Sequence, residues 1–429
     1  MRNIIKYFIL AFIIFQISAC DFSNNKDPQN KQLDKVIIDN TLSISEHYSY
    51  YINSPFDSIR GIIVVLDPHS KPYLVMDSLH KYADANFLAI IGIKEVHNGI
   101  KNYDEIINRD IKHFKKLNSF HSVKTYLLGF SGAARMAEYY SHNHRIDGII
   151  MCGAGMQRQA QLPFPTVLLS GTKDFNFIEQ YYDPSSPYTF NKNIFAFNFR
   201  GKHKWPPVNI ILHGLDFIIH RKKGGNDSIS ENFEQKSLRY LNSKEYYFAF
   251  KFMEAAYKYS NHTDNDKLKS HLQHIINNKN VKNYFRRTNL YLEEEVKRYR
   301  MLTEYLDTKD YKWWKNQINF IEYKSNKKDP ISADSYARTK AYLGIVVYSK
   351  INHALTGRGN TEKLMLYLYV YELIEPDSPF LFYFKSVVEY RTGDEQIAIS
   401  HFKKAQKMGF DNLNAARKYF SEDFLNKCK

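Results

Sequence analysis

A serine stands among small residues in the stretch YLLGFSGAARMAEYY, Tyr126 to Tyr140. Gly129 lies two positions before Ser131, Gly132 directly after it and Ala133 two positions after it. A hydroxyl in such a place has two uses. It can cap an ordinary helix, accepting a backbone N–H of the first turn. Or it can attack a carbonyl carbon, which requires a neighbouring base because a serine hydroxyl is a weak nucleophile at its own pKa. Residues suited to assist occur further on. Asp174 lies in VLLSGTKDFNF, in a Gly-x-x-Asp turn after an apolar run, and His203 lies in NFRGKHKWPP, after the next such run. Metal chemistry has less to draw on. The histidines of SHNHR (Ser141 to Arg145) lack ligand spacing and a third partner, and Cys20, Cys152 and Cys428 suggest neither a disulfide framework nor a zinc site. No metal or cofactor is expected.

The elements that must carry these residues can be read from the apolar pattern. GIIVVLD (Gly61 to Asp67), FLAIIGI (Phe87 to Ile93), VKTYLLGF, IDGIIMCGAG, PTVLLSGTKD and NIFAFNFRG are short apolar runs of buried-strand type. YDEIINRDIKHFKKL (Tyr103 to Leu117), GAARMAEYYSHN and PVNIILHGLDFIIHRK are helical. Strand followed by helix, repeated, implies a parallel sheet covered on both faces. The fold class is therefore α/β over residues 38–222. From about Lys223 strand-like runs cease and aromatic-rich helical segments take over, so residues 223–429 are expected to be all-helical.

Ser131, Asp174 and His203 then stand at strand ends in an order that resembles the α/β-hydrolases. That family places its nucleophile in Gly-x-Ser-x-Gly, on a sharp turn from strand to helix, and follows it with an acid and then a histidine. Here Ala133 replaces the last glycine and keeps the small size. NFRGKHKWPP resembles the histidine loop of the branch holding polyhydroxybutyrate depolymerases and feruloyl esterases, with Lys202 in place of a second glycine. The resemblance runs roughly from Asp67 to His220. It implies Ser131 as nucleophile, His203 as general base and acid, and Asp174 as the group that orients the imidazole. Asp183 and Asp216 are rival acids in less fitting places. The resemblance also implies an oxyanion hole from the Gly132 N–H and from a backbone N–H of His69 or Ser70. These follow GIIVVLD, where relatives usually carry His-Gly; Pro68 has no N–H to offer. Asp67 and His69 could instead form a polar pair that props this loop.

The second half carries a weaker resemblance. Pro379 to Phe410 reads as helix, turn, helix, with Ser386, Ala398, Phe402 and Ala405 where a tetratricopeptide repeat places its packing residues. Such a region is expected near 345–410, and a plain helical bundle would explain it too. This half could cover the pocket of the first or bind a partner protein.

The N-terminus reads as an address. Arg2 and Lys6 precede an apolar run from Tyr7 to Phe15, too short for a finished bilayer span, and Ile17-Ser18-Ala19-Cys20 resembles a bacterial lipobox. This implies a signal peptide over 1–19, a lipid on Cys20, a polar tether over 20–37 and a place in the bacterial cell envelope. A plain secretory peptide with a chance cysteine is the alternative. The formal charge of +15 comes from scattered basic residues without a Lys/Arg block, so a solvated basic surface is expected and nucleic acid is not. Taken together these readings imply a lipid-anchored serine hydrolase acting on a small-molecule or glycan-linked ester. The alternatives are an inactive hydrolase-fold scaffold that recruits an envelope partner, and a peptidase or amidase.

Overall fold

The computed structural model describes residues 43–44, 46–120, 122–156, 162–220, 227–260, 265–357 and 361–429. Cys20, the signal segment and the tether lie outside them. The described strands are β1 (Ser43–Ile44), β2 (Tyr48–Tyr51), β3 (Gly61–Leu66), β4 (Leu88–Ile93), β5 (Lys124–Phe130), β6 (Gly148–Cys152), β7 (Thr166–Gly171) and β8 (Ile194–Phe199). They form one sheet in the order β1-β2-β4-β3-β5-β6-β7-β8. The pairs from β4 to β8 are parallel, and β1 and β2 add an antiparallel edge. The joining helices are α1 (Tyr73–Asn86), α2 (Tyr103–Leu117), α3 (Ser131–Asn143), the short α4 (Phe177–Gln180) and α5 (Val208–His220).

The apolar runs become strands because both of their faces are covered. Along β3, Ile63 and Val65 join a core with Met76 and Leu79 of α1 and Leu215 of α5. Ile62, Val64 and Leu66 point the other way, into a core with Ile107 and Ile111 of α2 and Ala133 and Ala137 of α3. The period-two alternation therefore feeds two apolar layers, so the strands read as continuous hydrophobic runs. The strand order and the helices on both faces make this an α/β-hydrolase fold.

All remaining described α-helices follow the sheet. α6 (Asp227–Asn242), α7 (Tyr246–Tyr259) and α8 (Asn265–Asn277) lead to the long α9 (Lys279–Tyr305). Phe233 of α6, Phe250 and Met253 of α7 and Leu272 of α8 belong to the same apolar cluster as Ile63 and Leu215. The secondary structure changes character after α5, but the compact division of the chain falls later, between Asn289 and Leu290, because one sheet face is extended by these helices.

The unit from Leu290 contains the end of α9, then α10 (Tyr311–Ser325), α11 (Pro330–Thr356), α12 (Thr361–Ile374), α13 (Pro379–Thr392), α14 (Glu395–Lys407) and the short α15 (Leu413–Ala416) and α16 (Glu422–Lys427). Trp314, Ile318, Leu343, Phe384, Phe402 and Phe424 lie in its core. α13 and α14 pack together as a hairpin, with Ser386, Ala398, Phe402 and Ala405 fully buried. No helix of the described residues is long and apolar enough to cross a membrane.

Candidate active site

β5 ends at Phe130 in extended backbone (φ −116°, ψ 137°), and α3 starts at Ser131 with φ +52°. A non-glycine residue in this left-handed region is strained by about 1–3 kcal/mol and needs its surroundings to hold it. An N-capping serine has β-region backbone instead, with its oxygen on an N–H of its own helix. Phe130 takes the capping position, without a side-chain bond, and the Ser131 hydroxyl faces elsewhere. The small residues around it are required by close approach. A Cβ on Gly129 would lie 2.6 Å from the Ala134 Cα, and Ala133 is completely buried beneath the turn.

Ser131 Oγ lies 2.9 Å from His203 Nε2. His203 Nδ1 lies 2.9 Å from each Asp174 carboxylate oxygen. An ionised carboxylate can only accept, so Nδ1 carries the proton and Nε2 is left to accept from the serine hydroxyl. The acid and histidine loops are joined before any side chain is counted: the Thr172 N–H donates to the Phe199 carbonyl and the Lys173 N–H to the Gly201 carbonyl, both at 2.8 Å. Asp174 is fully buried and also accepts the Asn176 N–H at 2.8 Å. The imidazole lies between Phe130 and Phe175, with ring centroids 4.9 and 4.4 Å away. The Lys202 side chain is exposed, so lysine in place of glycine leaves this packing untouched.

The rival acids have other partners. Asp216 accepts from the Tyr82 hydroxyl at 2.7 Å. Asp183 accepts from the Ser185 N–H at 2.9 Å and from the Asn289 amide at 2.8 Å. Cys152, at the end of β6, is buried, and burial pushes its thiol pKa well up, which leaves it a poor nucleophile. His144, of the SHNHR stretch, pairs with Asp104 at 2.9 Å and stacks on Tyr140. No group of His, Cys, Asp and Glu suited to a metal occurs among the described residues.

The loop after β3 is arranged differently from the expectation that a backbone N–H of His69 or Ser70 faces the oxyanion. The His69 N–H donates to Asp67 Oδ1 at 2.8 Å and the Ser70 N–H to the Asp67 carbonyl at 3.2 Å. The physical cause is the buried carboxylate of Asp67. It closes an Asx turn around Pro68 and also accepts the Trp205 indole N–H at 2.9 Å. Asp67 thus props the loop through the backbone of His69 rather than its ring, and ties it to the histidine loop. Gly132 lies in the first turn of α3, where an N–H has no intrahelical acceptor and the helix dipole favours negative charge. The part played by Trp205 was missed in the sequence, although Asp-Pro is a recognisable turn signal.

No protein-family model matches this chain, and no curated protein matches it. Among solved structures it is similar to an α/β serine hydrolase homologue from Coxiella burnetii, with 14% identity over 43% of this chain and 98% of that one and a TM-score of 0.31. It is also similar to a lidless α/β serine hydrolase from Xanthomonas campestris, with 12% identity over 41% of this chain and 88% of that one and a TM-score of 0.31. A third is Est1E from Butyrivibrio proteoclasticus, with 11% identity over 42% of this chain and 96% of that one and a TM-score of 0.29. The fold assignment rests on the strand order and the strand-to-helix turn at Ser131, not on these similarities.

Proposed function

We propose that this protein is a serine hydrolase that cleaves carboxylic esters, held at a membrane of the bacterial envelope by lipid on Cys20. The observation that carries the enzymatic reading is the unbroken line of hydrogen bonds from Ser131 through His203 to buried Asp174. The Ser131 Oγ attacks the ester carbonyl carbon while its proton passes to His203 Nε2. The carbonyl electron pair moves onto oxygen, where the Gly132 N–H at the head of α3 stabilises it. Collapse of this intermediate breaks the carbon–oxygen bond to the leaving alcohol, which takes the proton from His203. An acyl ester on Ser131 remains. Water then attacks it, His203 again holds the proton in transit, and the acid departs. Asp174 stays ionised throughout, fixing the tautomer and balancing the imidazolium.

The full chain should hydrolyse a short-chain activated ester such as p-nitrophenyl acetate. Ser131→Ala should lower kcat by a factor on the order of 10³ to 10⁶ while leaving the fold intact. Turnover like that of the unaltered chain would remove Ser131 from the mechanism. The anchor is a separate proposal, resting on the basic, apolar and Ile17-Ser18-Ala19-Cys20 segments. Cys20→Ser should release the chain from membranes or leave it uncleaved; normal processing with persistent membrane association after a high-salt wash would refute the anchor.

A further inference from the structure

The reading above leaves an electrostatic gap. A tetrahedral oxyanion is held by two donors in most acyl-transfer sites, and losing one is costly. Gly132 supplies one. The N–H groups of His69 and Ser70, the positions from which the second was expected, are occupied within their own turn. Another donor must therefore come from a group close to Gly132.

The residue that meets Gly132 is Asn98, in the loop between β4 and α2. A Cβ built on Gly132 would lie 2.0 Å from Asn98 Oδ1 and 3.1 Å from its Cγ. The carboxamide thus occupies the space that a side chain on the residue after Ser131 would fill. This also explains the choice of glycine there, since any larger residue would drive the carboxamide away. The backbone of Asn98 is fixed at both ends. Its N–H donates to the Pro68 carbonyl at 2.9 Å, and its carbonyl accepts from His97 Nδ1 at 2.9 Å. A bridge between His69 and His97 ties the same two loops together. The carboxamide itself is exposed and makes no hydrogen bond to any described residue. A polar group on an anchored backbone, with its own donors unused, lies against the residue that carries the first oxyanion donor.

We propose, resting on the hydrolase reading, that Asn98 is a catalytic residue whose Nδ2 supplies the second hydrogen bond to the oxyanion. In the free protein Oδ1 is the atom nearer Gly132. The terminal torsion of an asparagine is broad and roughly two-fold, so a half-turn exchanges oxygen for nitrogen at small cost. Negative charge developing beside Gly132 favours the NH₂ end. The carbonyl end would repel it.

The test is the rate at which a fluorophosphonate phosphonylates the full chain, because its P=O oxygen uses the same donors as a carbonyl oxyanion. Asn98→Ala should slow this rate and lower kcat on p-nitrophenyl acetate by a factor on the order of 10² to 10³, with KM little changed. Asn98→Asp keeps the shape and removes the donors, so it should lose at least as much. Gly132→Ala retains its N–H but displaces the carboxamide, so combining it with Asn98→Ala should cost no more than the larger single effect. Two results would overturn the proposal while leaving the hydrolase reading standing: phosphonylation of Asn98→Asp within about threefold of the unaltered chain, or fully multiplicative losses in the Asn98/Gly132 pair. A folded, unaltered chain that is not phosphonylated at all would remove both.

Discussion

Each unit of the molecule buries a carboxylate completely, and the two are used in opposite ways. Asp174, in the sheet unit, passes its hydrogen bonds to His203, whose side chain is 19% exposed and whose other nitrogen reaches Ser131. Glu295, in the helical unit, is met by both Nε and Nη2 of buried Arg338, at 2.9 and 2.7 Å, and by the hydroxyl of buried Tyr299 at 2.6 Å. The first network ends at the partly exposed hydroxyl of Ser131. The second closes on itself, and Arg298 adjoins it by bonding Ser335 and Thr339 on α11. A buried charge alone therefore says little about function. The informative observation is where its chain of hydrogen bonds ends.

Breaking each network should separate chemistry from stability. Asp174→Asn keeps the size of the side chain but presents a donor or a weaker acceptor to Nδ1, so it disfavours the tautomer that leaves Nε2 free. A loss on the order of 10⁴ in kcat is expected, with little change in thermal stability. Steady-state ester kinetics beside a melting curve would show this, and comparable losses of both would make Asp174 chiefly structural. Glu295→Ala should do the reverse. It removes the carboxylate that both Nε and Nη2 of buried Arg338 meet, and breaking a buried ion pair costs about 3–5 kcal/mol of stability. Denaturant unfolding should record that loss while kcat of the folded protein stays unchanged.

A smaller effect is expected at the strap between the loops that follow β3 and β8. Trp205→Phe keeps the ring on Phe130 but deprives the Asp67 carboxylate of a donor. Hydrogen bonds to charged groups contribute about 1.5–3 kcal/mol, so stability should fall by that amount. The smallest effect concerns pH. His213 sits on α5 beside Phe233, and burial lowers its pKa from 6.5 to about 4. Between these values the unfolded chain holds a proton that the folded one lacks. Its contribution therefore favours folding above pH 6.5 and is lost as the pH falls toward 4. His213→Leu should narrow the difference in unfolding midpoint between pH 7 and pH 4.5; an unchanged difference would exclude His213 as its source.

Much of the sheet unit could be read from the residues because parallel strands buried on both faces leave continuous apolar runs. GIIVVL, LAIIGI and IFAFNF are entirely buried in β3, β4 and β8. The placement of Ser131, Asp174 and His203 at strand ends was legible for the same reason, since each directly follows such a strand or the turn after it. The strain at Ser131 was implied by small neighbours, whereas its φ of +52° is seen only in the backbone. Other features lack a local signal. The apolar faces of α6, α7 and α8 announce that they need a partner, but not that the partner is the sheet core containing Ile63. Asn98 is one polar residue in a turn, and its meeting with Gly132 depends on two loops 34 positions apart being brought together by β4 and β5 (132 minus 98). The occupied N–H groups of His69 and Ser70 follow from a carboxylate that folding buries, and burial of a single aspartate is not written in its neighbours.

The contrast between an open and a closed buried carboxylate depends above all on Ser131 being reactive. The most direct measurement is mass spectrometry of the folded full chain after treatment with a fluorophosphonate. One covalent adduct is expected, on the peptide containing Ser131, and it should vanish in both Ser131→Ala and the heat-denatured chain. A folded chain that takes up no adduct, or one whose adduct persists in Ser131→Ala, would contradict the assignment of Ser131, His203 and Asp174 as a catalytic set.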